Sequence, residues 1–84
     1  MKVWKYALER PIEDLQIPSG HRFLAVGAQG EHLVIWVLVN PENPTQSRRF
    51  YAVGTGHDLP LVGKYRGTAQ MGSGLVWHIF EESV

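Results

Sequence analysis

The sequence predicts an all-β domain, a small barrel or sandwich of five to seven antiparallel strands in meander order. Two observations lead to this prediction. Short apolar runs alternate with turn signals rich in glycine, proline and asparagine, and no long segment repeats with the period of a helix. One short helix, within residues 10–18 or 57–63, is compatible with the pattern. The length of 84 residues fits a single β-rich domain over residues 1–84.

Four strands are predicted in the first half of the chain, each followed by a turn signal: residues 2–8, 12–17, 23–27 and 33–39. Pro11 ends the first run, and residues 12–17 are also compatible with an extended loop. Residues 23–27 and 33–39 are predicted to form a hairpin. The strand over 33–39 is apolar on both of its faces, which predicts a central strand covered on both sides.

Three further strands are predicted after the Pro-rich loop at residues 40–44, where two X-Pro steps deny a helix: residues 48–53, 64–70 and 75–80. In the first of these, Arg48 and Phe50 share one face, and Arg49 and Tyr51 share the other. Residues 54–63 form a long loop in this interpretation. The last four residues, with Glu81 and Glu82, are predicted to be a solvated tail.

The composition excludes several classes of function. Zero cysteines remove disulfides and thiolate metal sites, and eight Lys and Arg against eight Asp and Glu leave no basic face for bulk nucleic acid. The longest apolar run is far shorter than the ~20 residues of a membrane span, and the start is no signal peptide. We expect a cytoplasmic protein with no membrane partner. Because a core this small stabilises weakly, we also expect a homo-oligomer.

The segment Gly54-Thr55-Gly56-His57 is the first candidate for a binding site. Amides exposed between glycines form nests for anions, and His57 supplies a hydrogen bond. Neither the lysine of a phosphate-binding loop nor the helix of a dinucleotide fingerprint follows it. A plain turn with glycines at positive φ explains the same residues, and both interpretations stay open.

Catalytic and metal sites are not predicted. The four histidines lack the close spacing of a zinc motif: His21, His32, His57 and His78. Ser73 lies in Gly-Ser-Gly, without the strand-to-helix turn of a nucleophile elbow. We therefore expect no enzyme activity, no metal and no cofactor. His78 lies in an apolar strand, which is typical of a hydrogen-bonded core or interface histidine.

Three arginines and two tyrosines close to the glycine loop extend the candidate site: Arg48, Arg49, Arg66, Tyr51 and Tyr65. Arginine binds phosphate or carboxylate through two parallel hydrogen bonds, and an aromatic ring stacks on a base. The alternative is that these arginines are ordinary surface cations on an edge strand.

Nine aromatic residues are many for this length. Trp36 and Trp77 alternate with aliphatic residues and are predicted to pack in the core. Trp4 and Tyr6 lie close to the amino terminus and are candidates for a subunit interface.

Five segments have a familiar pattern: residues 1–6 (MKVWKY), 17–20 (IPSG), 35–41 (IWVLVNP), 53–57 (VGTGH) and 76–81 (VWHIFE). Together with Arg48, Phe50 and residues 67–70, they make the chain resemble a family of small, largely uncharacterised bacteriophage and prophage proteins. It departs from that pattern at Asn40, often Asp, and at Trp77, often Phe. The resemblance implies a stand-alone phage protein without an assigned enzyme activity. Such proteins often inhibit bacterial defence, by sequestering nucleotide signals or by binding a defence protein.

These observations lead to one function hypothesis and one alternative. The hypothesis is a non-enzymatic counter-defence protein that sequesters a small anionic, nucleotide-like ligand as a homo-oligomer in the host cytoplasm. The residues expected to bind that ligand are Arg48, Tyr51, Gly54, Thr55, Gly56, His57 and Arg66. The alternative is a protein–protein inhibitor or accessory phage protein, which binds a host or virion protein through an exposed aromatic patch at Trp4 and Tyr6.

Overall fold

A computed structural model describes residues 1–58 and 63–83. These residues form seven strands and no helix: β1 (Lys2–Leu8), β2 (Ile12–Pro18), β3 (Arg22–Gln29), β4 (His32–Val39), β5 (Thr45–Gly54), β6 (Gly63–Gln70) and β7 (Val76–Glu82). The all-β prediction is confirmed. The segment 10–18, for which a short helix was compatible, contains strand β2, and the segment 57–63 includes residues 59–62, which lie outside the described part.

The strands form two antiparallel sheets that face each other as a sandwich. Sheet 1 has the order β1-β4-β3, and sheet 2 has the order β2-β5-β7-β6. The predicted meander order is wrong, because only the pairs β3–β4 and β6–β7 are neighbours both in the sequence and in a sheet. The chain crosses between the sheets after β1, β2 and β4. Local alternation identifies a strand but does not identify its partner.

Alternating side chains of both sheets fill the core between them. Sheet 2 contributes Ile17, Phe50 and Ile79, each at most 1% exposed. Sheet 1 contributes one face of β4: Leu33, Ile35, Val37 and Val39. This burial removes apolar surface from water and is the main favourable term in folding a domain of this size.

Strand β4 is the centre of sheet 1, as predicted, but only one of its faces packs against the other sheet. Val34, Trp36 and Leu38 point away from sheet 2, and of these only Val34 is buried. The indole of Trp36 lies across Gly27 on β3: a Cβ built at Gly27 would come within 2.7 Å of Cζ3 of the indole. Trp36 is therefore a surface tryptophan lying flat on the sheet, whereas the sequence analysis placed it in the core.

Two β-bulges modify the edges of the sandwich. The register of β3 against β4 shifts between Phe23 and Ala25, and the register of β6 against β7 shifts between Tyr65 and Gly67. A bulge adds one residue to a strand and re-aims its side chain. In β6 the added residue is Arg66, and its guanidinium lies over the ring of Phe23 in the opposite sheet, 5.1 Å from the ring centroid.

The carboxyl end of the described chain is not a tail. Strand β7 continues to Glu82, and Glu81 is only 2% exposed. The prediction that both glutamates are solvated is wrong for Glu81, because it continues the inward-facing alternation of Trp77 and Ile79. Within the described residues, no helix is long and apolar enough to cross a membrane.

Candidate functional site

The residues of the predicted ligand site fall into two separate groups. Phe50 pairs with Glu81, and Gly54 pairs with Trp77 at the end of the same two strands. Four residue positions separate these pairs, or about 13 Å at the usual rise of a strand. The arginines lie with the first pair and the glycine loop lies with the second, so one small ligand does not contact both groups.

The first group is an ion cluster around Glu81, which we call the Glu81 cluster. Arg48 donates from Nε to Oε2 of Glu81 (2.7 Å) and from Nη2 to the carbonyl of Glu82 (2.7 Å). Arg66 donates from Nε to Oε1 of Glu81 (2.8 Å), and its Nη2 lies 2.6 Å from the same oxygen. His21 completes the cluster: its Nε2 is 3.6 Å from Oε2, and its Nδ1 donates to the carbonyl of Pro18 (3.2 Å).

Burial by itself would raise the pKa of Glu81, but the hydrogen bonds from Arg48 and Arg66 outweigh it and hold the pKa below its ordinary value. The carboxylate is therefore charged at neutral pH. It occupies both arginines, whose side chains are 17% and 23% exposed. The two arginines come together as the sequence analysis expected, but they meet on an internal carboxylate, which leaves few of their donors for a ligand.

The remaining polar residues of the first group are also engaged. Arg49 forms two hydrogen bonds with Asp14, at 2.7 and 2.9 Å, and these lower the pKa of Asp14. Tyr51 lies on the outer face of sheet 2, is 1% exposed, and donates its hydroxyl to Glu82 (3.2 Å). Its ring is covered and does not present a face on which a base would stack.

The second group is the turn after β5. The amide of His57 donates to the carbonyl of Gly54 (3.0 Å), and Gly56 has φ +86°, a conformation that favours glycine. The imidazole of His57 covers Gly54 so closely that a Cβ there would lie 2.8 Å from Nδ1. Turn geometry thus explains both glycines. It also leaves the amides of Thr55 and Gly56 without a hydrogen-bond partner among residues 1–58 and 63–83.

Three hollows meet at Trp77, at this end of the sandwich. Two of them, each about 370 Å³, share Gly54, His57 and Trp77 in their walls; we call them together the Trp77 pocket. The third, about 340 Å³, reaches Trp77 from the side of the β1–β2 turn. Its rim is charged or ionisable: Glu9, Arg10, Glu31 and His32. These volumes are at the small end of the range for ligand sites.

A polar network on the outer face of sheet 2 holds the turn in place. Nε2 of His78 lies 2.8 Å from the hydroxyl oxygen of Thr55, and Nδ1 lies 3.0 Å from the hydroxyl oxygen of Thr68. The hydroxyl of Tyr65 contacts Thr68 in turn, and the ring of Tyr65 packs against Phe80. His78 is hydrogen-bonded, as predicted, but it points away from the core. The network fixes one side of the turn that forms the wall of the Trp77 pocket.

A family model described as "Domain of unknown function (DUF7352)" matches residues 1–84. The chain belongs to this family. No curated protein and no solved structure matches it. For this DUF7352 chain, the site must therefore be judged on its own residues and geometry.

The two residues proposed for a subunit interface, Trp4 and Tyr6, lie in different environments. Trp4 is 37% exposed on the edge strand β1, and its ring packs edge-on against Tyr6. Tyr6 is half-buried, and its hydroxyl donates to the carbonyl of Gln16 in the other sheet (3.2 Å). Among the described residues, no three His, Asp or Glu side chains come together as a metal site would require. Of the two proposed interface residues, Trp4 is the one that presents surface.

Proposed function

We propose that this DUF7352 chain is a non-enzymatic binding protein that holds a small anionic ligand with a planar group, such as a nucleotide, in the Trp77 pocket. The observation that carries the proposal is the juxtaposition of an indole wall with a turn that offers donors. Trp77 supplies a flat apolar surface, while His57 and the amide of Thr55, which line the same hollow, supply hydrogen bonds to an anion.

The structure changes the expected ligand set in one respect. Arg48 and Arg66 are bound to Glu81, so the turn and Trp77 carry the proposal without them. Three acids lie at the same end of the sandwich: Glu9, Glu31 and Asp58. Their charges oppose a polyphosphate, and a ligand with a single negative charge is favoured.

The resemblance to bacteriophage proteins gives this proposal its biological setting. A phage protein that sequesters a nucleotide signal in the host cytoplasm would act against bacterial defence. The role is that of a stoichiometric binder: the hydroxyl of Thr55 in the pocket wall does contact Nε2 of His78, but Nδ1 of that imidazole contacts the hydroxyl of Thr68 and not a carboxylate that would orient it as a base.

Isothermal titration tests the proposal. The purified chain, at about 50 µM or above, is titrated with nucleoside monophosphates, cyclic dinucleotides and ADP-ribose. We expect saturable heat with at least one of them. Loss of one charge-assisted hydrogen bond in His57→Ala should weaken binding by roughly tenfold or more, while Gln16→Ala, on the exposed outer face of sheet 2, should bind normally. No heat with any ligand, or equal affinity in His57→Ala, would contradict the proposal.

A second candidate function, inhibition of a host or virion protein, is favoured by the exposure of Trp4 on an edge strand. Edge strands with an exposed aromatic residue offer both backbone hydrogen bonds and a hot-spot side chain. A stoichiometric partner captured from host lysate, and lost with Trp4→Ala but retained with Lys2→Ala, would support this function. Capture that does not depend on Trp4 would count against it.

A further inference from the structure

The hollow on the side of the β1–β2 turn continues the Trp77 pocket across the indole. It shares Pro11, Ala52 and Trp77 with one of the two hollows of that pocket. Its floor is the apolar end of the core, where Leu8 and Met71 lie buried. Its volume of about 340 Å³ accommodates a purine ring. A ligand in the Trp77 pocket therefore has room to extend past the indole into this second space.

A carboxylate lies across the rim of this second space. Glu31 belongs to the turn between β3 and β4 in sheet 1, and its Oε1 lies against Gly72 in the turn between β6 and β7 of sheet 2. A Cβ built at Gly72 would come within 3.0 Å of that oxygen, so the absence of a side chain there leaves room for the carboxylate. Within residues 1–58 and 63–83, no hydrogen bond and no ion pair engages the Glu31 side chain. Both of its oxygens are therefore available to hydrogen-bond donors of a ligand.

We infer that Glu31 selects the base of the ligand, and that the ligand is a guanine nucleotide. The inference rests on the proposed function, because it identifies the planar group that stacks on Trp77. An ionised carboxylate only accepts hydrogen bonds, and its two oxygens accept two parallel bonds from a donor pair of matching spacing. Among the four common bases, guanine alone presents two adjacent donors on one edge, N1–H and the N2 amino group. Adenine places the acceptor N1 beside its amino group, and that acceptor would face a carboxylate oxygen.

The other charges on the rim agree with this orientation of the ligand. Glu9 and Glu31 both line the second space, and two carboxylates oppose the entry of a phosphate there. The phosphate is therefore favoured at the turn of His57 and the base in the second space. Arg10 lies on the same rim and supplies N–H donors for O6 of guanine, the position at which adenine has an amino group. An acceptor and a donor on one rim match the guanine edge, which has both donors and an acceptor.

Three cyclic nucleotides of equal charge test the choice of base. The purified full chain, at about 50 µM or above, is titrated calorimetrically with cyclic GMP, cyclic IMP and cyclic AMP. We expect cyclic GMP to bind about tenfold or more tightly than cyclic AMP, the usual effect of one bidentate contact to a base. Cyclic IMP, which lacks the N2 amino group, should lie between them. Equal affinity for all three would overturn the inference and leave the proposed function standing. No heat with any of the three would also overturn it, and the wider ligand panel then decides the proposed function separately.

The ratio of the dissociation constants for cyclic AMP and cyclic GMP isolates the role of Glu31. A glutamine side chain offers one acceptor oxygen in place of two, so in Glu31→Gln the ratio should fall to about threefold or less. The change in net charge acts equally on both nucleotides and cancels in the ratio. Glu42→Gln is the matched control, since Glu42 is an exposed glutamate in the loop at the other end of β4; it should keep the wild-type ratio. Circular dichroism verifies that both variants fold. A wild-type ratio in Glu31→Gln, or an equal fall in Glu42→Gln, would overturn the assignment of Glu31.

Discussion

Replacement of Glu81 by glutamine would leave Arg48 and Arg66 without the charge on which they converge. The side-chain volume is almost unchanged, so the effect on the free energy of unfolding reports the charge and its hydrogen bonds. Removing one partner of a buried ion pair costs about 3–5 kcal/mol. Because both arginines retain some contact with water and can turn toward it, we expect a somewhat smaller loss, about 2–4 kcal/mol.

Equilibrium urea denaturation, followed by tryptophan fluorescence, measures this loss. A domain of this length has a free energy of unfolding of about 4–13 kcal/mol, so the midpoint should move by a large fraction of its value while the m-value stays constant. Glu82→Gln is the matched control, since Glu82 is only half-buried and its side chain accepts a hydrogen bond from the hydroxyl of Tyr51 and not from an arginine. The control should lose much less stability than Glu81→Gln.

A second variant separates the charge from the packing. In Arg48→Met/Arg66→Met/Glu81→Met the whole cluster is replaced by apolar side chains of similar length. Such replacements are often neutral or stabilising, because they remove the desolvation cost of all the charges together. The triple variant should therefore be more stable than Glu81→Gln. If Glu81→Gln lies within about 0.5 kcal/mol of the wild type, or if the triple variant is the least stable, the account of Glu81 as a buried counter-ion is refuted.

Three further predictions concern pH and packing. The lowered pKa of Glu81 contributes stability above the pKa that this group has in the unfolded chain, and the contribution is lost as pH falls through the folded-state pKa. The urea midpoints of the wild type and of Glu81→Gln should therefore converge below about pH 4. A difference between the two midpoints that does not change with pH would contradict this. Gly27→Ala should displace the indole of Trp36, lowering stability by about 1–3 kcal/mol and shifting tryptophan emission; an unchanged spectrum would argue against the contact. Tyr6→Phe removes the hydrogen bond to Gln16 that joins the sheets and should cost about 0.5–1.5 kcal/mol in the same assay, and an unaltered midpoint would show that water replaces it.

The sequence predicted the strands better than their partners. Alternation placed Arg48 with Phe50 and Arg49 with Tyr51 on opposite faces of β5, as the structure has them. Continued past Phe80, the same alternation along β7 places Glu81 on the inner face. The assignment of Glu81 to a tail failed because a charged residue at a chain end is usually solvated, and its two arginine partners lie far away in the sequence.

Arg66 shows a second limit of the local pattern. Strict alternation from Tyr65 would place Arg66 on the inner face and Gly67 on the outer one, but the bulge turns both toward the opposite sheet, where Gly67 approaches Val26. Gly67, with φ +152°, is the residue type that often marks a bulge inside a strand, but the sequence analysis predicted a regular strand over residues 64–70. Strand geometry also divided the predicted site. The arginines and the glycine loop are close in the sequence, but the extended strand between them keeps them apart in space.

The position of β7 has a consequence for how the protein assembles. This strand lies between β5 and β6 in sheet 2, although it is the last of the seven in the chain. During synthesis, β5 and β6 therefore cannot pair with their common neighbour until residues 76–82 have been made. The counter-ion of Arg48 lies on that same strand. Sheets whose neighbours are distant in sequence fold in about milliseconds to seconds. We expect the central ladder of sheet 2 and its ion cluster to form together, as a late and cooperative event.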